Sequence, residues 1–282
     1  MRTYIIIPAH NEEAFIGKTL TSLVNQSALP SRIVVVDDQS KDGTLQIAKS
    51  FAEKHTFISV ISSKSSGEHL PGSKVVNAFY KGLDSVDENY DIICKFDADL
   101  IFPVDYIETI IRHFEADPQI GMAGGFCTVE EKGTWKLENL TSRDHIRGAL
   151  KAYRKECFLE IGKLKPAMGW DTVDELLAQF HGWKIITDES QLVKHLKPTG
   201  GSYNKAAKYK QGAAFYRLGY GFVITAIASA KLSFRKKDIS LFKDYMSGYF
   251  RAKKEKQPLL VSAEEGRFIR NLRWKKILRK IF

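Results

Sequence analysis

The chain has 282 residues but only three cysteines, Cys94, Cys127 and Cys157. An odd number without metal-ligand spacing excludes a disulfide framework and a thiolate zinc site, and points to buried free thiols in a reducing compartment. No apolar run reaches the roughly 18 residues that would predict a membrane-spanning helix. The opening Met1-Arg2-Thr3-Tyr4-Ile5-Ile6-Ile7 stops at Pro8, so no secretory leader is expected. No Gly-x-Gly-x-x-Gly follows the first apolar stretch, which argues against a dinucleotide-dependent dehydrogenase. Zinc-finger, helix-turn-helix and RNP signatures are missing, so nucleic acid is not an expected partner. Internal repeats and low-complexity segments are missing as well.

What is present is an ordinary globular composition, 44% hydrophobic and 27% charged, able to bury a core. The net charge of +10 is unevenly placed. Residues 194–282 hold 22 Lys/Arg against 5 Asp/Glu, while residues 1–193 hold 21 against 28. A basic tail of this kind favours an anionic membrane surface or phosphorylated substrates.

Short apolar runs alternate with helical periodicity. Tyr4–Ile7, Ile33–Val36, Phe57–Ile61 and Ile92–Phe96 read as strands, and the stretches after them carry apolar residues at helical spacing, such as Phe15, Ile16, Leu20 and Leu23. This β-α-β-α-β-α-β order predicts an α/β fold with a mostly parallel sheet covered on both faces. A polar loop is expected from Ser62 to Gly72. Beyond Asp99, Pro103–Ala116 reads as a helix, Ile120–Val129 as a strand, and Ala149–Glu160 as strand then helix. Gly169–Glu175 leads into a further helix through Leu176, Leu177 and Phe180 that stops at His181-Gly182, with Gly182 as its cap, and Trp183–Thr187 is a strand. From Tyr203 onward the tail reads as helices. Trp274, Ile277, Leu278 and Ile281 recur at i, i+3, i+4 and i+7 among basic residues, the pattern of a helix lying on a membrane interface or packed with a solvated basic face.

Three polar loops follow the first, second and fourth strands: Pro8-Ala9-His10-Asn11-Glu12-Glu13, Asp37-Asp38-Gln39-Ser40-Lys41-Asp42-Gly43-Thr44, and Phe96-Asp97-Ala98-Asp99. In a parallel sheet all three fall at the carboxyl edge, where ligands bind in open α/β folds. Two carboxylates one residue apart can hold a divalent cation through oxygen, with phosphates completing its shell.

These loops, together with Lys74, Asn77 and Gly82, resemble the family 2 inverting glycosyltransferases of the GT-A fold, over roughly residues 1–200. The resemblance implies a GT-A domain over 1–202, a Rossmann-like sheet flanked by helices; the tail over 203–282 shares no motif with the family and is read from its charge and periodicity as a basic helical C-terminal extension. It implies a nucleoside-diphosphate sugar donor held by Pro8, His10, Glu12, Asp38, Lys74, Asp97 and Ala98. Asp38 would accept a hydrogen bond from the base, and Lys74 would approach the diphosphate. Mn2+ or Mg2+ would sit on Asp99, with His195 as a further ligand, and Asp97 would contact ribose or metal. The family's acidic motif before a helix corresponds to Gly169-Trp170-Asp171-Thr172-Val173-Asp174-Glu175, with Trp170 where Glu is usual. Both Asp171 and Asp174 are candidates for the base that takes a proton from the acceptor hydroxyl. The implied acceptor is a saccharide or lipid-linked saccharide, for cell-surface polysaccharide or glycolipid synthesis. The expected location is cytoplasmic, and the charge and periodicity of the basic tail suggest peripheral contact at the inner membrane face. Two alternatives stand beside this reading. A sugar-nucleotide-forming nucleotidyltransferase is disfavoured by the lack of a glycine-rich phosphate loop in residues 5–20. A non-catalytic nucleotide- or glycan-binding protein is disfavoured by the retained Asp38, Asp97, Asp99 and Asp171.

Overall fold

A computed structural model describes residues 1–63, 72–138, 143–197 and 207–279. Most of the expected polar loop after Ser62, the expected boundary at 202/203, and Ile281 lie outside the described residues.

The chain divides into two compact units: Met1–Pro166 with Trp170–Thr199, and Ala167–Gly169 with Gly200–Phe282. The first unit opens as β1 (Thr3–Ala9), α1 (Ile16–Val24), β2 (Arg32–Asp37), α2 (Thr44–Lys54), β3 (Ile58–Ser62), α3 (Ser73–Leu83) and β4 (Ile92–Phe96). These four strands pair in parallel in the order β3-β2-β1-β4. Ile5, Ile6, Ile7 and Val34–Val36 are wholly buried, as strands covered on both faces require.

After β4 the chain forms β5 (Leu100–Ile101), α4 (Tyr106–Ala116), β6 (Ile120–Glu131), β7 (Thr134–Leu137), β8 (Leu150–Arg154), α5 (Lys155–Glu160), α6 (Trp170–Phe180) and β9 (Lys184–His195). The sheet continues β4-β8-β6-β9-β5, with β7 on β6. Direction now alternates: β8 is antiparallel to both β4 and β6, and β9 is parallel to β6. Two-residue β5 is antiparallel to β9, so Leu100 lies opposite His195. That pairing brings the end of the chain's first unit back to Asp99.

Strand β9 outruns the expected Trp183–Thr187. Its pairing with β6 jumps from Gly124 opposite Thr187 to Phe126 opposite Leu192, so Asp188–Gln191 form an excursion before the strand resumes. The excursion presses on Gly125, where an added Cβ would lie 2.2 Å from the Gln191 carbonyl oxygen. The polar excursion hides the second half of the strand from a periodicity reading.

The second unit is helical: α7 (Ala207–Arg217), α8 (Gly221–Arg235), α9 (Ser240–Lys254) and α10 (Ala263–Leu278). Helices α7 and α9 touch backbone to backbone, since a Cβ on Gly212 would lie 1.7 Å from the Tyr245 carbonyl oxygen and one on Gly248 would lie 2.0 Å from that of Tyr209. Helix α10 starts at a capping box between Ser262 and Glu265 and buries Gly266 and Ile269. Its Arg270 donates to the Gly219 carbonyl at 2.8 Å and its Arg273 to the Tyr220 hydroxyl at 2.6 Å. Part of its basic face therefore holds the fold.

Candidate active site

The carboxyl edge of β1, β2 and β4 opens into a cavity of about 610 Å³. Pro8, His10, Glu12, Asp38, Lys74, Asp97, Ala98 and Asp99 all line it. Residues from four separate stretches of sequence thus converge at one sheet edge.

The first two loops are knitted together. The His10 Nδ1–H donates to the Asp38 carbonyl at 2.6 Å, leaving Nε2 to accept from the Asn11 amide at 3.2 Å. Asn11 and Gln39 both adopt left-handed backbone, φ 54° and 58°, which turns each loop tightly. The Asn11 side chain accepts from the Lys41 amide, and the Thr44 hydroxyl accepts from the Glu12 amide. Asp42 accepts from the Thr44 and Glu13 amides, a structural task at the start of α2, and its pKa is lowered chiefly through the Thr44 hydroxyl.

The Asp97-Ala98-Asp99 turn is pinned by its backbone. The Asp97 amide donates to the Ala149 carbonyl and the Leu196 amide to that of Asp99. The buried Thr19 hydroxyl of α1 donates to the Ala98 carbonyl at 2.7 Å and accepts from the Leu100 amide at 3.0 Å. Asp97 forms an ion pair with Lys95, a lysine nearly sealed inside β4 that also donates to the Gly148 carbonyl at 3.0 Å. Asp99 and His195, both buried, stand 3.4 Å apart. His195 also lies 3.6 Å from Glu138, whose carboxylate pairs with Arg147 at 2.9 Å. Burial opposes a charge on the His195 ring, but Asp99 and Glu138 outweigh it and raise its value to about 9.

Glu12 extends this acidic group. One carboxylate oxygen takes Lys197 at 2.9 Å, and the other is buried without a hydrogen-bond partner among the described residues. Burial raises its pKa, Lys197 opposes that, and Asp99 and Asp97 add to it. Asp37 likewise keeps one buried oxygen unbonded. An acidic edge with unbonded buried oxygens, a carboxylate and an imidazole in contact, fits a divalent cation and polar ligand groups.

At the start of α6 the two candidate bases part company. Asp171 is about one-third exposed, with His145 Nε2 at 3.9 Å. Asp174 is sealed: Lys151 Nζ sits at 2.9 and 3.0 Å from its two oxygens, and the Tyr153 hydroxyl donates to it at 2.6 Å. Burial pushes its value up to about 6 against the pull of Lys151. Nothing outside the fold can reach it. Glu175, also buried, accepts from Lys151 at 3.0 Å and from His145 Nδ1 at 2.9 Å. His145 is thereby held with Nε2 towards Asp171. Asp171 does not line the strand-end cavity, but its neighbour Trp170 stacks over Lys95 at 5.3 Å, and Lys95 holds Asp97. A Cβ on Gly148 would lie 2.9 Å from the Trp170 ring and 3.1 Å from the Asp171 Cβ.

Sequence reasoning missed Thr19, Lys95, His145, Lys151 and Tyr153. The two lysines carried a signal: each interrupts an otherwise apolar strand, Ile92-Ile93-Cys94-Lys95-Phe96 and Leu150-Lys151-Ala152-Tyr153. A charge there is rarely buried unless paired.

Residues 4–164 match the family model described as glycosyl transferase family 2. A probable glycosyltransferase of Bacillus subtilis, YdaM, is 37% identical over 97 residues, covering 34% of this chain and 22% of its own. Poly-beta-1,6-N-acetyl-D-glucosamine synthase of Staphylococcus aureus is 25% identical over 234 residues, covering 73% of this chain and 53% of its own. The chain thus spans about half or less of the length of these curated relatives. Among solved structures, the mannosyltransferase PcManGT of Pyrobaculum calidifontis, in complex with GDP-Man and Mn2+, superposes with a TM-score of 0.60 at 16% identity, over 100% of this chain and 81% of that one. S. aureus TarS with UDP-GlcNAc gives 0.58 at 15%, over 83% and 67%. The shared architecture is the GT-A fold.

Proposed function

Because this chain belongs to glycosyl transferase family 2 and is a glycosyltransferase, we propose that it moves a sugar from a nucleoside-diphosphate sugar to a hydroxyl of a saccharide or lipid-linked saccharide, with inversion and with a divalent cation. The observation that supports this best is the convergence of Asp38, Lys74, Asp97 and Asp99 on one cavity at the sheet edge. Solved structures of the same fold with GDP-Man or UDP-GlcNAc support the donor class, and those with Mn2+ support the cation.

In this reading the base and ribose lie between the first two loops. Asp38 accepts from the base, Pro8 and His10 wall its other side, and Asp97, steadied by Lys95, faces the ribose. Lys74 offsets charge on the diphosphate. Asp99, with His195 beside it, would hold Mn2+ or Mg2+, and the cation supplies positive charge against the charge gathering on the leaving nucleoside diphosphate. Asp171 is the base. It takes the proton of the acceptor hydroxyl, whose oxygen bonds to the anomeric carbon as the bond to the diphosphate oxygen breaks. His145, fixed through Glu175, orients the Asp171 carboxylate. Asp174 serves the fold.

The test is a thermal-shift panel of UDP-, GDP- and dTDP-sugars, each with and without Mn2+ or Mg2+. One donor should raise the melting temperature when the metal is present, by mass action on the native state. The Asp99→Ala variant should lose the metal-dependent part of that rise. No shift with any donor at millimolar concentration would sink the proposal. Release of pyrophosphate instead of nucleoside diphosphate during turnover would assign a nucleotidyltransferase.

A further inference from the structure

Helix α8 is inside out. Its protein-facing side carries Ile224 and, at i, i+4 and i+8, Thr225, Ser229 and Ser233, all buried. None of the three hydroxyls has a hydrogen-bond partner among the described residues. Burying a hydroxyl unpaired costs on the order of 1–3 kcal/mol. The outward side of the same helix carries Val223, Ile227, Ala230 and Phe234 at i, i+4, i+7 and i+11, all exposed. A helix facing water has the opposite arrangement. On α9, Phe242 and Phe250 extend the apolar surface, with the Phe250 ring 5.8 Å from that of Phe222 on α8. The last turn of α8 and the cap of α9 are the extreme case: Phe234 is 85% exposed and Ile239 87%. Between them lie Arg235, Lys236 and Lys237, all exposed, and the half-buried Asp238.

We infer that the α8–α9 hairpin is a docking surface for an anionic lipid bilayer, with Phe234 and Ile239 entering the headgroup region and Arg235, Lys236 and Lys237 meeting lipid phosphates. Charge selects this occupant over a second copy of the chain. Residues 194–282 carry an excess of 17 positive charges, and a two-fold pairing through this face would set like charges against each other. An anionic surface is complementary, with roughly 1 kcal/mol per basic residue held near it. The hairpin lies on the bilayer and does not cross it. Helix α8 has 15 residues, about 22 Å of helix, short of the roughly 30 Å hydrocarbon core. No helix among the described residues is long and apolar enough to span. The surface belongs to α8 and α9, whereas α10, the helix picked out by sequence periodicity, spends Arg270 and Arg273 on holding its own unit together. Nothing in the inference depends on the identity of the sugar donor.

The test is sedimentation of the full chain with vesicles of phosphatidylcholine alone, or of phosphatidylcholine and phosphatidylglycerol in equal parts. Binding is expected to the anionic vesicles, weakening as salt screens it. Combined Phe234→Ser and Ile239→Ser should weaken it by roughly tenfold to a hundredfold at unchanged melting temperature. Combined Arg235→Gln, Lys236→Gln and Lys237→Gln should weaken it by about a hundredfold on anionic vesicles only. In an otherwise unchanged chain, Phe234→Trp should add a vesicle-dependent blue shift to the emission of the parent. Failure to sediment with anionic vesicles would overturn the inference, as would undiminished binding of the apolar double variant or a missing blue shift at position 234. A dimer that the double variant converts to monomer, with no vesicle binding, would assign the face to a second copy instead.

Discussion

Two acidic groups stand within one sheet, and two buried lysines serve them differently. Lys95 on β4 and Lys151 on β8 are register partners across the antiparallel pair, so their side chains share a face. The Trp170 ring lies near both, 5.3 Å from one ammonium and 6.0 Å from the other. Lys95 answers one carboxylate, Asp97, whose side chain remains 34% exposed beside the cavity. Lys151 is wholly buried among Asp174, Glu175 and the Asp171 carbonyl. Burial works against its charge, but Asp174, Glu175 and Asp171 outweigh it and raise its pKa. The strand-end carboxylates are therefore paired yet still reachable from the cavity, while Asp174 and Glu175 of the α6 group are spent on Lys151 out of reach. The difference teaches which acidic residues are free to do chemistry. Asp171 is the member of the second group left partly outside, and Trp170, in the position where the family usually has Glu, fills the space between the two cations.

That comparison breaks in a graded way. Replacing Asp99 by Ala should give the largest loss, on the order of 10³-fold in kcat with donor and metal at saturation, while the melting temperature stays put. An active Asp99→Ala enzyme would remove the strand-end group from the chemistry. Lys151→Met comes next and acts on the fold: it leaves Asp174 and Glu175 buried without their cation, which should cost about 3–5 kcal/mol in chemical denaturation. If stability barely changes, the α6 group is not the internal structure described. Asp171→Asn should lower kcat by about 10²-fold or more with little change in melting. Asp174→Asn should do the reverse, lowering the melting temperature, and equal kinetic losses from the two would erase the distinction between them. Lys95→Met should have the smallest effect on stability, about 1 kcal/mol, since solvent can reach Asp97 and screens the pair. Its signature should instead be a raised KM for the donor, measured by initial rates.

Much of this was legible in the chain. Apolar runs of four or five residues alternating with helical periodicity are enough to place β1 to β4 in parallel, because such strands must be covered on both faces. Loops at their ends then fall at one edge, so Asp38, Asp97 and Asp99 could be grouped before any coordinates. The antiparallel course of β8, the two-residue β5 and the interrupted β9 were not legible. Each depends on partners distant in sequence, and two residues of strand hold no periodicity to read. The choice between Asp171 and Asp174 was equally closed. Both begin a helix after a polar turn, and only burial, with Lys151 and Tyr153 arriving from β8, separates them.

Local chemistry, then, determined the parallel half of the sheet, its acidic edge and the basic character of the last ninety or so residues, since strand alternation, loop position and charge are properties of neighbouring residues. The tertiary structure decided which carboxylates meet water, which lysines neutralise the rest, and that α8 turns its hydroxyls inward and its phenylalanines outward. Those are questions of who lies opposite whom, and the free energy that answers them comes from desolvation and pairing across the fold.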